Sequence, residues 1–326
     1  MRLSHLVFLL LLAIALTAGG ALWLSPDGTH IPIMAALRGQ LPDFERQLLV
    51  ELRLPRLILS FSAGALLAAS GGAIQSRFQN PLAEPGLVGI SGGAALAAAL
   101  ALQFGCPAPW VPVVAFTGGM LALTLTWLMS HNAHDGGRLI LAGIAVNALF
   151  GSLLTLLISM LPDGSLRTVT FWLMGSFSNA DWPQARLFLI AAPLLTWLLF
   201  REWRLLNALQ LGPHSAFHLG FDVRRGGLRV VVLAALATGL VVSNCGMVGF
   251  IGLMAPHLAR QLIGGHTRRL MIAAPLFGGL LAILADWLAH SLLYPAELPV
   301  GVITSLAGAP FFLWLLWRND RRANHA

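Results

Sequence analysis

Lysine is missing from this sequence altogether, and charged side chains of any kind make up only 10% of its 326 residues, against roughly 25% in a soluble globular domain. The shortage is uneven: no Asp, Glu, Lys or Arg falls between Glu84 and Asp135, or between Arg229 and Arg260. So few charges cannot wet the surface of a folded chain this long. Hydrophobic residues reach 57% and the mean hydropathy is +0.78, so the chain reads as an integral membrane protein. The missing lysine also removes the GxxxxGK[ST] loop, so ATP cannot be held here in the usual P-loop manner. HExxH is absent too. Two cysteines, Cys106 and Cys245, supply neither a disulfide framework nor a soft-metal cluster. Alternating ten-residue strands are missing, which argues against a membrane barrel.

What is present is arginine and long apolar runs. The net charge of +7 comes from twenty arginines against thirteen acids. They punctuate apolar tracts instead of gathering on one polar face, as a nucleic-acid binder would require. Apolar spans fall at about 3–24, 54–76, 87–104, 110–129, 139–160, 185–200, 227–243, 248–263, 270–293 and 302–317. The first is longer than the 7–15 residues of a signal-peptide core and leads into more apolar sequence, so it reads as a retained helix. The expected fold is therefore all-α, a polytopic membrane protein of about ten transmembrane helices. Gly249, Gly252 and Pro256 predict that the 248–263 segment bends or stops partway. Placing both termini in the cytoplasm puts fourteen of the twenty arginines on that side, as the positive-inside rule demands. The largest segment on that side is 201–229. On the opposite side lie 25–53, with Pro26, Pro32 and Pro42, and 162–183, with Trp172 and Trp182. Every connection is too short for a soluble catalytic domain, so residues 1–326 form a single membrane domain.

Few polar residues interrupt the spans. Asp286 is an ionisable group in an apolar run, which makes it a candidate proton-coupling site. The plainer reading is a satisfied helix-end acid paired with a backbone N–H or an arginine. His257, after Pro256, could be a ligand, a gate or a packed helix residue, the last being the blander alternative. Gly71-Gly72 and Gly92-Gly93 permit close approach of helix backbones. Asn80-Pro81 and Glu84-Pro85-Gly86 read as a rigid turn after the second span. The scattered methionines form no sulfur ladder.

Several local motifs carry a resemblance. Arg53-Leu54-Pro55-Arg56, Ala69-Ser70-Gly71-Gly72-Ala73-Ile74-Gln75 and Asn80-Pro81-Leu82-Ala83-Glu84-Pro85-Gly86 stand in the first half. Leu141-Ala142-Gly143, Pro256-His257 with Arg260, Ala285-Asp286, Ala296-Glu297-Leu298-Pro299 and Gly308-Ala309-Pro310 follow in order. Together they resemble the permease family of bacterial iron-chelate, heme and vitamin B12 ABC importers. The resemblance covers residue 50 to the C-terminus.

That resemblance implies a multi-pass protein of the bacterial inner membrane, with inverted helical repeats around a translocation pathway at a homodimer interface. It implies as partners a second copy of the chain, two cytoplasmic ABC ATPase subunits, a periplasmic substrate-binding protein and the lipid bilayer, but no nucleic acid. The chain itself would be no enzyme and bind no cofactor; ATP and Mg would sit on the ATPases. Arg53 resembles an arginine that meets the binding protein, with Arg56 beside it. His290 falls where the vitamin B12 permease has another arginine, a replacement that weakens that contact. Gly212, Ala216, Leu219 and Gly220 match the segment that docks on the ATPases. Asn80, Pro81, Glu84, Pro85, Gly143, Asn147, Pro256, His257 and Arg260 are family-motif positions with a possible gating role, and the pathway is expected near 139–160. The stretches 141–148 and 166–176 look most like the heme-importing branch, with ferric siderophore and vitamin B12 as alternatives. An ion-coupled secondary transporter, a membrane enzyme and a scaffold are the rival classes.

Overall fold

A computed structural model describes residues 3–23, 35–36, 38–130 and 136–323. Among the described residues the chain is all-helical. Helix α1 spans Leu3–Trp23 and α2 spans Asp43–Phe78, with a π-helical stretch at Leu48–Arg53. They are followed by α3 (Ile90–Gln103), α4 (Val111–Met129), α5 (Gly136–Ser159), α6 (Asp163–Met174) and α7 (Trp182–Arg201). Two short helices, α8 (Trp203–Leu209) and α9 (Pro213–His218), lead into α10 (Val223–Cys245), α11 (Ile251–Ile263), α12 (Thr267–Ser291) and α13 (Val300–Ala323).

A helix stands at each of the ten apolar runs of the sequence. Seven helices are long and apolar enough to cross a membrane by length and composition. The 13 residues of α11 cover only about 20 Å at 1.5 Å per residue, so the glycine- and proline-bearing segment does stop short. Two helical stretches lie within the connecting segments that the sequence assigns to the outer side. One is α6, inside 162–183, and the other is the 43–53 extension of α2. The segment around Pro26 and Pro32 lies outside the described residues. Pro55 has no N–H to give residue 51 and its ring crowds that carbonyl. The wider π turn just before it lets the helix continue through the proline.

Helix α2 is the axle of the bundle. It is buried almost continuously from Leu59 to Ser76, and α7, α10, α11 and α12 pack around it. Small residues make this possible. A Cβ on Gly64 would stand 2.2 Å from the Gly278 carbonyl oxygen, and one on Gly278 would stand 2.2 Å from the Gly64 oxygen. Backbones of α2 and α12 therefore touch, the close van der Waals packing on which membrane helices rely in place of a hydrophobic driving force. At Gly71 the approach is to the Gly252 carbonyl of α11. The buried hydroxyls of Ser60, Ser70 and Ser76 bond back to the Leu57, Leu66 and Gly72 carbonyls, whereas Gln75 Nε2 and Arg77 Nε, near the end of the axle, are buried without a hydrogen-bond partner among the described residues. By contrast α1 buries only Leu6 and Leu10 and lies at the periphery.

Candidate functional site

Candidate functional residues gather at three levels along α2. Just past the π turn of α2, Arg56 makes a forked contact with Asp286 of α12: Nε donates to both carboxylate oxygens at 3.1 and 2.9 Å, and Nη2 donates to Oδ1 at 2.8 Å. Nη1 reaches Glu297, in the loop before α13, at 3.1 Å. His290 Nδ1 lies 2.6 Å from the same Glu297 oxygen. Of the two readings of Asp286, the arginine-paired helix-end acid is the one the structure shows. Arg56 and His290 thus meet, as parts of one charge cluster. Arg53 sits beside them and donates to the Leu22 carbonyl at the end of α1. A cavity of about 260 Å³ runs among Arg53, Arg56, Asp286, His290 and Glu297. Glu297 also borders a cavity of about 1100 Å³ walled by Phe116, Phe171, Trp172 and Leu187, with Arg167 and Asn244 among its polar groups. The Arg167 guanidinium lies 5.7 Å from the centre of the Phe171 ring.

The bonds from His290 and Arg56 hold the Glu297 carboxyl down to about 2, against some resistance from partial burial. A group whose folded value is depressed stabilises the fold above its unfolded value, 4.5 here, and loses that contribution as pH falls toward the folded value. Glu297→Gln is therefore expected to lower the unfolding temperature in detergent by nearly the same amount at about pH 5.5 and about pH 4.5, with the deficit closing towards about pH 2. A deficit already halved at about pH 4.5 would show that the cluster does not grip this carboxylate.

Halfway along the bundle, the chain after α2 turns back inward. Asn80-Pro81 makes the turn, with Asn80 Oδ1 accepting from the Leu82 N–H at 2.9 Å. Glu84, Pro85 and Gly86 then run alongside α11, and Pro85 is buried. Irregular backbone at this depth survives only if its polar groups find partners. Asn147 of α5 supplies two: Nδ2 donates to the Gly86 carbonyl at 2.9 Å and Oδ1 accepts from the Gly92 N–H at 3.0 Å. The Phe250 N–H, at the left-handed residue that starts α11 (φ +65°), donates to the Glu84 carboxylate. Gly143, one turn before Asn147, lets the loop in: a Cβ there would stand 2.1 Å from the Leu87 carbonyl oxygen. The structure thus brings Glu84, Pro85, Gly143 and Asn147 together. His257 stands apart, edge-on to Phe311 and Phe312 and 3.0 Å from Gln261, the packed-residue arrangement.

At the far end of α2, Arg260 of α11 donates to Gln75 Oε1 at 2.7 Å and to Ser76 Oγ at 3.3 Å. Helices α8 and α9 lie against this end. Ala216 is fully buried, while Leu211, Phe217 and Leu219 are 69%, 67% and 61% exposed. Gly212 and Gly220 take positive φ of 100° and 88° and bend the chain into and out of α9. The segment thereby displays an apolar knob of the kind that a partner covers. Sequence reading named Leu219 but passed over Leu211 and Phe217, although an apolar pair flanked by Arg201, Arg204, Arg224 and Arg225 was a signal. It also named Glu297 only within a motif.

Comparisons with known proteins agree with this architecture. The sequence model of the FecCD transport family matches residues 6–318. The hemin transport system permease HmuU of Yersinia pestis is 40% identical over 322 residues, 95% of this chain and 94% of its own. The vitamin B12 import permease BtuC of Vibrio cholerae is 39% identical over 305 residues, 92% of this chain and 88% of its own. A solved structure described as a metal-chelate type ABC transporter in an inward-facing conformation superposes with a TM-score of 0.88 at 31% identity. That match covers 97% of this chain and 99% of the other.

Proposed function

The chain belongs to the FecCD transport family and is the permease of an ABC importer, and on that premise we propose that its cargo is heme, moved inward by alternating access. The observation that carries this reading is the match to the hemin permease, with 40% identity over nearly the full length of both chains. The larger cavity adds support. Phe171 and Trp172 offer ring faces to a planar macrocycle, and Arg167 offers a cation to its carboxylates. Vitamin B12 is the second reading, favoured by the 39% identity to the vitamin B12 permease.

In this reading the Arg56 end of α2 faces the periplasm and the α8–α9 end faces the cytoplasm of a bacterial inner-membrane protein. Arg53, Arg56 and His290 lie on the face that receives the binding protein, and Gly212, Ala216, Leu219 and Gly220 on the face that receives two ATPases. A second copy packs on α5 and α13, whose outward sides carry Leu141, Ile144, Leu306 and Leu313. The loop held by Gly143 and Asn147 borders the pathway. Chemistry is left to the ATPases, whose cycle shifts the permease between forms only through unequal affinity for them. A secondary transporter has little to work with here, because the acid within its apolar run, Asp286, is tied to Arg56.

The test is uptake into proteoliposomes holding the dimer, its ATPases and its binding protein, with heme, vitamin B12 and a ferric siderophore as parallel cargos. ATP-dependent accumulation of heme is expected. Accumulation of another cargo and not heme overturns the substrate and leaves the importer in place.

A further inference from the structure

The α8–α9 segment is fastened to α2 by a two-way clasp that none of the functional roles above uses. Gln79, the residue just past the end of α2, donates through Nε2 to the Leu209 carbonyl. In return, Gln210 Nε2 donates to the Ser76 carbonyl of α2 at 3.1 Å. Each side chain thus reaches the other element's main chain: the Ser76 carbonyl lies in the last turn of α2, where helical partners run out, and the Leu209 carbonyl, at the end of α8, also accepts from the Gly212 N–H at 3.0 Å. Gln79 keeps this position in a left-handed conformation (φ 52°), one that glycine adopts far more readily than glutamine. A side chain retained there at the expense of local backbone comfort is a side chain with a task.

The other end of α2 holds the Arg56–Asp286–Glu297 cluster. Between Arg56 and Ser76 the helix is regular and closely packed, a rod of about 30 Å at 1.5 Å per residue. We infer that α2 is the mechanical relay between the outer docking face and the ATPase-docking segment, with Gln79 and Gln210 as the positioning residues that attach that segment to the rod. This rests on the importer reading. Allosteric coupling needs two sites and an element whose position both sites bias; here, among the described residues, α2 is the helix clasped by paired side-chain bonds at the α8–α9 end. Helix α12 also runs between the two ends and packs on α8, but among the described residues the side-chain hydrogen bond joining them is the Thr267 N–H to Asn207 Oδ1 contact at 3.4 Å, with ring contacts around Trp203.

The experiment uses the complete reconstituted importer and reads three quantities: ATP hydrolysis without binding protein, hydrolysis with loaded binding protein, and uptake. The variant is Gln79→Gly with Gln210→Ala, in which glycine preserves the helix end. The expected result is retained co-purification with the ATPases and unchanged basal hydrolysis. Binding-protein stimulation and uptake should both fall by about fivefold or more, the lower range of typical allosteric couplings. Gln79→Asn with Gln210 intact, which shortens one arm of the clasp, should fall between. Unchanged stimulation and uptake overturn the relay. Loss of co-purification also overturns it, since the pair would then be part of the docking surface. So does an equal loss in Asn207→Ala, which would place the relay on α12. Absence of stimulation in the unaltered importer strikes instead at the importer reading itself.

Discussion

Arg56→Ala is expected to destabilise the permease by about 3–5 kcal/mol, the usual cost of stripping one partner from a buried ion pair. The side chains of Arg56 and Asp286 are 19% and 12% exposed, so solvent cannot take over for a missing partner. Three donor contacts from Arg56 satisfy both oxygens of Asp286, and alanine removes all three. Asp286→Asn should cost less, because Arg56 keeps Glu297 and the amide can still accept a bond. Arg56→Lys should rescue poorly, since an ammonium is a point charge and cannot reproduce the planar fork. Removing both charges together, as Arg56→Met with Asp286→Leu, should return most of the stability while leaving docking impaired. Thermal unfolding in detergent and binding-protein affinity separate these effects. A loss below about 1 kcal/mol for Arg56→Ala would mark the pair as no better than a surface salt bridge.

The same cluster shows what the sequence revealed and what it hid. An acid in an apolar run must find a partner or be paid for in solvation, so a partner for Asp286, a backbone N–H or an arginine, was legible from the residue alone. Which arginine was not, because Arg56 stands 230 positions away and only the crossing of α2 with α12 brings them together. That crossing is itself written locally in small residues: Gly64 and Gly278 mark where the backbones touch, yet neither glycine says which helix it meets. Hydropathy located the apolar runs and lost the helices that are not apolar. Residues 163–170 mix Asp163, Arg167, Thr168 and Thr170 with Leu166 and Val169, an amphipathic pattern that a search for continuous apolar length passes over. Residues 43–53, with Asp43, Glu45, Arg46, Glu51 and Arg53 among apolar neighbours, were passed over for the same reason. Gln79 and Gln210 were invisible for a different cause. Their partners are main-chain carbonyls, which every residue has, so no side-chain complementarity betrays the pairing.

Asn147→Leu is expected to cost about 2–6 kcal/mol, because it strands two main-chain groups, the Gly86 carbonyl and the Gly92 N–H, at about 1–3 kcal/mol each. The Gly86 carbonyl belongs to irregular backbone and the Gly92 N–H to the first turn of α3, which offers it no helical partner, and both lie inside the bundle, where water cannot substitute. Asn147→Asp separates the two bonds: its carboxylate still accepts from Gly92 but repels the Gly86 oxygen, so it should be damaging despite its equal size. Gly143→Ala attacks the same contact from the other direction. Its methyl would stand 2.1 Å from the Leu87 oxygen and 2.8 Å from the Val88 Cα, both backbone atoms that cannot swing aside, so the loop must move away from α5. Once it has moved, Asn147 no longer reaches Gly86, and replacing Asn147 as well removes little more. The double variant should therefore be clearly less damaging than the sum of the singles, by roughly 0.5–3 kcal/mol, as residues sharing one contact behave. Unfolding measurements on the two singles and the double check this directly. Strict additivity would mean that Gly143 and Asn147 hold different parts of the chain, and the loop would lose its claim to be a single clamped element beside the pathway.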